Sequence, residues 1–131
     1  MKIISTILLA TLACMTLACG YSKKTTPPVA GNMPAIATLS PNTISAGSAQ
    51  FTLTVDGSNF NSNASVNWGG AAQTTAFVNG GQLTIAVPAS AVTSQGTVAI
   101  TVTNPGTTGT GQYGSGGTLP ETSTPMTFTI N

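Results

Sequence analysis

Histidine and arginine are missing from this chain, lysine stops at Lys24, and the only carboxylates are Asp56 and Glu121. Without an imidazole, the abundant Ser and Thr hydroxyls have no ordinary base to activate them as nucleophiles. Paired acid and base chemistry would require Asp56 and Glu121 to meet, yet they stand far apart, among turn and loop formers such as Gly57, Ser58, Pro120 and Thr122. No catalytic residue, and no cofactor, is therefore expected. The lack of cations beyond Lys24 argues against a nucleic-acid partner, because that affinity comes from Lys and Arg displacing counterions from phosphates. A calcium site would have to draw on Asp56, Asn59 and Asn61, a thin set of donors for an ion that takes about six to eight oxygens. No metal is expected.

Cysteine is equally scarce: Cys14 and Cys19 are the only two, both near the N-terminus. The rest of the chain has neither a disulfide nor a thiolate metal site to hold it together. Charged residues are 4% of the chain and hydrophobic ones 40%, the reverse of the composition that keeps chains unfolded. The polar surface must come from Ser, Thr, Asn and Gln, and sheet edges have almost no charge to guard them. A length of 131 residues suits one domain.

What is present begins with an export signal. Lys2 opens the chain, residues 3–12 are apolar apart from Ser5, Thr6 and Thr11, and small residues follow at Ala13, Ala18 and Gly20. The run is shorter than the roughly 20 residues that span a bilayer. Thr16-Leu17-Ala18-Cys19 resembles a bacterial lipobox, in which a small residue precedes the Cys that becomes lipidated. It departs from that pattern where Leu and a small residue usually stand three and two places before the Cys. Ala18-Cys19-Gly20 also satisfies the small-x-small rule for ordinary cleavage. Thr11-Leu12-Ala13-Cys14 is a second copy that would leave an unusually short signal. The favoured reading is a lipoprotein-type signal peptide over residues 1–18, lipidation at Cys19 and a place in the cell envelope. Gly20 carries no acidic inner-membrane retention signal and so favours the outer membrane. The alternative is soluble secretion.

Residues 19–33 follow as a polar segment with Pro27, Pro28 and Gly31 and no hydrophobic period, expected as a flexible tether. At about 3.3 Å per extended residue, the stretch from Tyr21 to Met33 would reach roughly 40 Å. Lys23 and Lys24 would face anionic headgroups or simply keep the tether soluble.

From Ala35 onward apolar residues recur at every second position, the period that lines one face of a strand. Ile36 leads in. Phe51, Leu53 and Val55 alternate, then Val66 and Trp68, and Phe77 stands in a Thr-rich stretch. Leu83, Ile85 and Val87, then Val98, Ile100 and Val102, then Met126, Phe128 and Ile130 complete the series. Turn formers separate them, including Ser40-Pro41-Asn42, Asp56-Gly57-Ser58-Asn59, Gly69-Gly70, Asn79-Gly80-Gly81 and Asn104-Pro105-Gly106. About seven short antiparallel strands, each with one apolar face, predict an all-β sandwich, since a second sheet must cover that face.

The residues that carry a family resemblance are Ser40-Pro41, the Ala46-Gly47 turn, Gly57-Ser58-Asn59-Phe60 and Val66-x-Trp68-Gly69-Gly70. Gln82-Leu83-Thr84-Ile85 leading into Val87-Pro88-Ala89, Ile100-Thr101-Val102 leading into Asn104-Pro105, and Phe128-Thr129-Ile130 follow in order. Together, over residues 34–131, they resemble the IPT/TIG domain family. The resemblance implies an early-set immunoglobulin-like fold and an extracellular binding or spacer role. The family's DNA-binding use depends on basic loops that this chain lacks.

Two aromatic residues are candidate ligand contacts. Trp68 shares a strand face with Val66, which suits core packing, and would otherwise offer a ring for a sugar to stack on. Tyr113 is the lone aromatic of residues 106–124, a Gly-rich span long for a connection between strands, and long connections tend to be functional or disordered. The expected partner is an envelope protein or a glycan. The alternative function is a secreted carbohydrate-binding module. Asn63-Ala64-Ser65 fits the N-glycosylation pattern, which is usually incidental in a bacterium.

Overall fold

The computed structural model describes residues 29–108 and 116–131. The signal peptide, Cys19 and Tyr113 lie outside the described residues. Ten strands appear: β1 (Ala35–Ser40), β2 (Thr43–Ile44), β3 (Phe51–Ser58), β4 (Ser65–Trp68), β5 (Ala71–Ala72), β6 (Thr75–Asn79), β7 (Gln82–Val87), β8 (Gly96–Asn104), β9 (Glu121–Thr122) and β10 (Met126–Ile130). Three of them have only two residues, so seven strands of four or more residues carry the sandwich, and each holds one of the predicted apolar bursts.

The strands form two sheets, ordered β1-β3-β7-β6 and β2-β10-β8-β4-β5, with β9 beside β8. Alternation does what the pattern requires. Leu53 and Val55 of β3, Leu83, Ile85 and Val87 of β7, Val66 of β4, Ile100 and Val102 of β8, and Phe128 and Ile130 of β10 are all buried between the sheets. The intervening Thr, Asn and Gln residues turn outward, where they meet water. Each large side chain so buried contributes about 1.5 to 3 kcal/mol against backbone ordering. Leu39, Phe60, Ala64 and Val92 complete the core from strand ends and connections. Val92 enters on a single 3-10 turn, Ala89–Val92, a helical element that the strand pattern does not predict.

Three further features differ from the sequence expectation. Not every pairing is antiparallel: β2 runs parallel to β10, with Thr43 opposite Thr129 and Ile44 opposite Ile130. Pro41 has no N–H with which to continue the β1 ladder, and beyond it the chain crosses to the other sheet. Asn131 N–H then donates to the Ile44 carbonyl (2.8 Å), and Ala46 N–H to the Asn131 carbonyl (2.7 Å). Second, Phe77 is 42% exposed. Its strand β6 is an edge of its sheet, with a pairing irregularity between Phe77 and Asn79, so an apolar burst here does not lead into the core. Third, residues 106–124 are not one continuous loop. Thr107 and Thr118 form a bridge, and Glu121 and Thr122 form β9, opposite Asn104 and Thr103.

Residues 123–125 separate β9 from β10, both of which pair with β8. Ser123 joins them. Its N–H donates to the Val102 carbonyl (2.8 Å), and its Oγ accepts the Val102 N–H (2.9 Å). A hydroxyl thus replaces the backbone carbonyl that an uninterrupted ladder would have supplied.

Candidate functional site

The sandwich has two ends of different construction. At one, the chain enters β1 at Ala35, and the 59–64 loop, the 80–81 turn and the connection from β8 to β9 gather around it. This is called the tether end. At the far end lie the 3-10 turn, the Gly69-Gly70 turn and Asn131.

The tether end is organised by Asn104, whose amide is fully buried at the last position of β8. Its Oδ1 accepts the Asn61 N–H (3.0 Å). Its Nδ2 donates to the Asn32 carbonyl (2.8 Å) and the Asn59 carbonyl (2.7 Å). One side chain therefore ties the incoming chain and the β3–β4 loop to the middle of the other sheet, using both amide protons and the oxygen. Asn59 takes φ 60°, a left-handed conformation that Asn tolerates better than most residues, and donates through Nδ2 to the Met33 carbonyl (3.3 Å). Gly57 is required by contact: a Cβ there would stand 2.0 Å from the Ala35 carbonyl oxygen and 2.6 Å from the Phe60 ring. The Gly-Ser-Asn-Phe run thus combines a close strand crossing, a left-handed turn and a core aromatic.

Beside this clamp, residues 29–33 of the expected tether are laid against the β8–β9 connection. Val29 N–H donates to the Gly117 carbonyl, and Leu119 N–H to the Val29 carbonyl, each at 3.1 Å. Thr107 and Thr118 exchange both backbone bonds at 3.0 and 2.9 Å, and their hydroxyls meet at 3.0 Å. The result is a small ribbon held by two isolated bridges, Val29 with Thr118 and Thr107 with Thr118.

Trp68 is half-buried and packs on the fully buried Phe128, ring centroids 5.1 Å apart at 54°. Phe51 stacks on the same Phe128 ring at 5.8 Å and 14°. Trp68 thus lies toward the far end, and the other candidate aromatic, Tyr113, lies outside the described residues.

The carboxylates are likewise separated between the sheets. Asp56, half-buried on the outward side of β3, accepts from Gln82 Nε2 (2.8 Å). Glu121 lies in β9 beside the backbone of Gly31. Of the three residues considered for calcium, Asn59 binds Met33 through its side chain and Asn61 binds Asn104 through its backbone. Among the described residues no group of three His, Cys, Asp or Glu side chains is placed to hold a metal, and no helix is long and apolar enough to cross a membrane.

The outer face of the second sheet is a neutral hydroxyl and amide surface. Asn67 Nδ2 donates to Thr101 Oγ1 (3.1 Å) and Thr103 Oγ1 (3.0 Å), and Thr103 Oγ1 meets Thr122 Oγ1 at 2.9 Å. These bonds cross three strands and hold the outer face in one arrangement.

Comparison with known proteins returned one family model, the IPT/TIG domain, matching residues 34–120. No curated protein and no solved structure matches the chain. The matched residues end at Pro120, whereas β10 beyond them supplies Phe128 and Ile130 to the same core.

Proposed function

The chain belongs to the IPT/TIG domain family, and from that premise we propose that it is a lipid-anchored binding or structural module of the bacterial cell envelope. Domains of this family are non-enzymatic immunoglobulin-like modules often used in binding. The finer reading adds export by residues 1–18, lipidation at Cys19 and display of the sandwich outside the cytoplasm. The observation that carries it is the order of parts. A signal-like N-terminus ending in Leu17-Ala18-Cys19 stands only a short polar segment ahead of the family match at residue 34. The partner is an envelope protein or a glycan, met through the neutral outer sheet face or through the connection that carries Tyr113.

Two measurements test this. The full chain produced in a bacterial host should be retained in the membrane fraction, and Cys19→Ser should release it at least tenfold. Equal retention of both forms would refute the anchor. Cross-linking in intact cells then tests binding. Replacing residues 109–115 with a short Gly-Ser link leaves the Thr107–Thr118 bridge intact, so loss of a captured envelope partner with this variant would assign contact to that connection. Capture unaffected by it would move the site to the sheet faces.

A further inference from the structure

On the reading that Cys19 holds the chain to a bilayer, we propose that the tether end of the sandwich is itself a lipid-contacting surface, resting on the headgroup region through Val29, Met33 and Leu119. Isolated apolar side chains on a surface need no explanation, but several gathered at one end do. Val29 is 63% exposed, Met33 52% and Leu119 48%, and all three belong to the ribbon or to the chain leading from it into β1. The other large exposed apolar residues among those described, Phe77 and Val78, are the last of β6 before Asn79 and the tether-end turn. At the far end, by contrast, Val92 is fully buried, and Ile44, Phe51, Trp68 and Val98 pack against the core.

The length of chain outside the described region selects the occupant. Only residues 20–28 separate Cys19 from Val29, a leash of at most about 30 Å at about 3.3 Å per residue. A bilayer is therefore always within reach of this end, at an effective concentration no free partner matches. The leash carries Lys23 and Lys24, which favour an anionic leaflet. The opposing charges at this end are Glu121, half-buried beside Gly31, and Asp56, half-buried on β3 and held by Gln82 Nε2. The two backbone bonds between Val29 and the 117–119 segment hold the apolar side chains in place, so the contact requires no ordering of a loose segment.

The test uses the full chain reconstituted into vesicles of phosphatidylcholine and phosphatidylglycerol containing a lipid spin-labelled near the headgroup. An environment-sensitive fluorophore is attached at Asn63→Cys, on the tether end, or at Ser90→Cys, on the far end. Both positions are exposed and outside the apolar group. The label at position 63 should be quenched at least twofold more than the label at 90, and Val29→Ser with Leu119→Ser should abolish the difference. Flotation of the chain with vesicles, lost on Cys19→Ser, checks the anchor separately. If the chain floats and the two labels are quenched alike, the lipid contact is wrong while the anchor stands. Failure to float overturns both. Quenching that survives the double substitution refutes the role of these residues.

Discussion

The two ends of this sandwich solve the same closing problem with different chemistry. The far end is closed by apolar packing: Val92 is inserted from a 3-10 turn, and Phe51 and Trp68 cover Phe128. The tether end is closed by backbone carbonyls and N–H groups gathered around Asn104. Apolar closure tolerates many shapes, whereas an amide that binds three backbone groups demands one. The end that receives the tether and carries the long connection is therefore the one whose geometry is most closely specified.

The comparison can be broken most severely at Phe128. Phe128→Ala removes the ring shared by Phe51 and Trp68 and should destabilise the domain by about 3 to 5 kcal/mol. Urea unfolding should show it, with Trp68 fluorescence shifting to the red in the folded baseline.

Asn104→Ala is the matching test of the other end. It leaves the Asn61 N–H and the carbonyls of Asn32 and Asn59 without this partner, at a cost of about 2 to 3 kcal/mol. Hydrogen exchange should separate it from the first variant: amides of residues 29–33 and 59–61 should exchange faster, with those of the 3-10 turn unchanged. Uniform acceleration over the whole domain would mean that the two ends are not independent.

The smallest expected effect is at Ser123→Ala, about 1 kcal/mol, because one ladder bond is lost while the Ser123 N–H still reaches Val102. Exchange at the Val102 amide should rise selectively.

Much of this architecture was legible in the chain before any coordinates. The seven longer strands fall on the seven apolar bursts, but the Asp56-Gly57-Ser58-Asn59 run that reads as a turn holds the end of β3, and only the structure shows Gly57 pressed against Ala35. Phe77 misled because alternation cannot distinguish an edge strand from a central one; both have period two, and only the neighbours differ. Asn104 reads as a turn former beside Pro105, Ser123 lies within the Gly-rich 106–124 span, and nothing local marks either as buried. The candidate contacts were less legible still. Trp68 reads mainly as core packing beside Val66 and only secondarily as a sugar platform, and its ring lies half-buried on Phe128.

By itself, then, the sequence determined the seven longer strands, the inward faces of those other than β6, and the family. Those follow from side-chain period and turn chemistry, which are properties of a few neighbouring residues. The tertiary structure alone decided that Asn104 would meet Asn32 and Asn59, 72 and 45 residues away, and that β2 would run parallel to β10. It also decided that residues 29–33 would join the domain. Whether a polar group can be buried depends on the backbone groups that distant segments bring to it, and no local pattern encodes their positions.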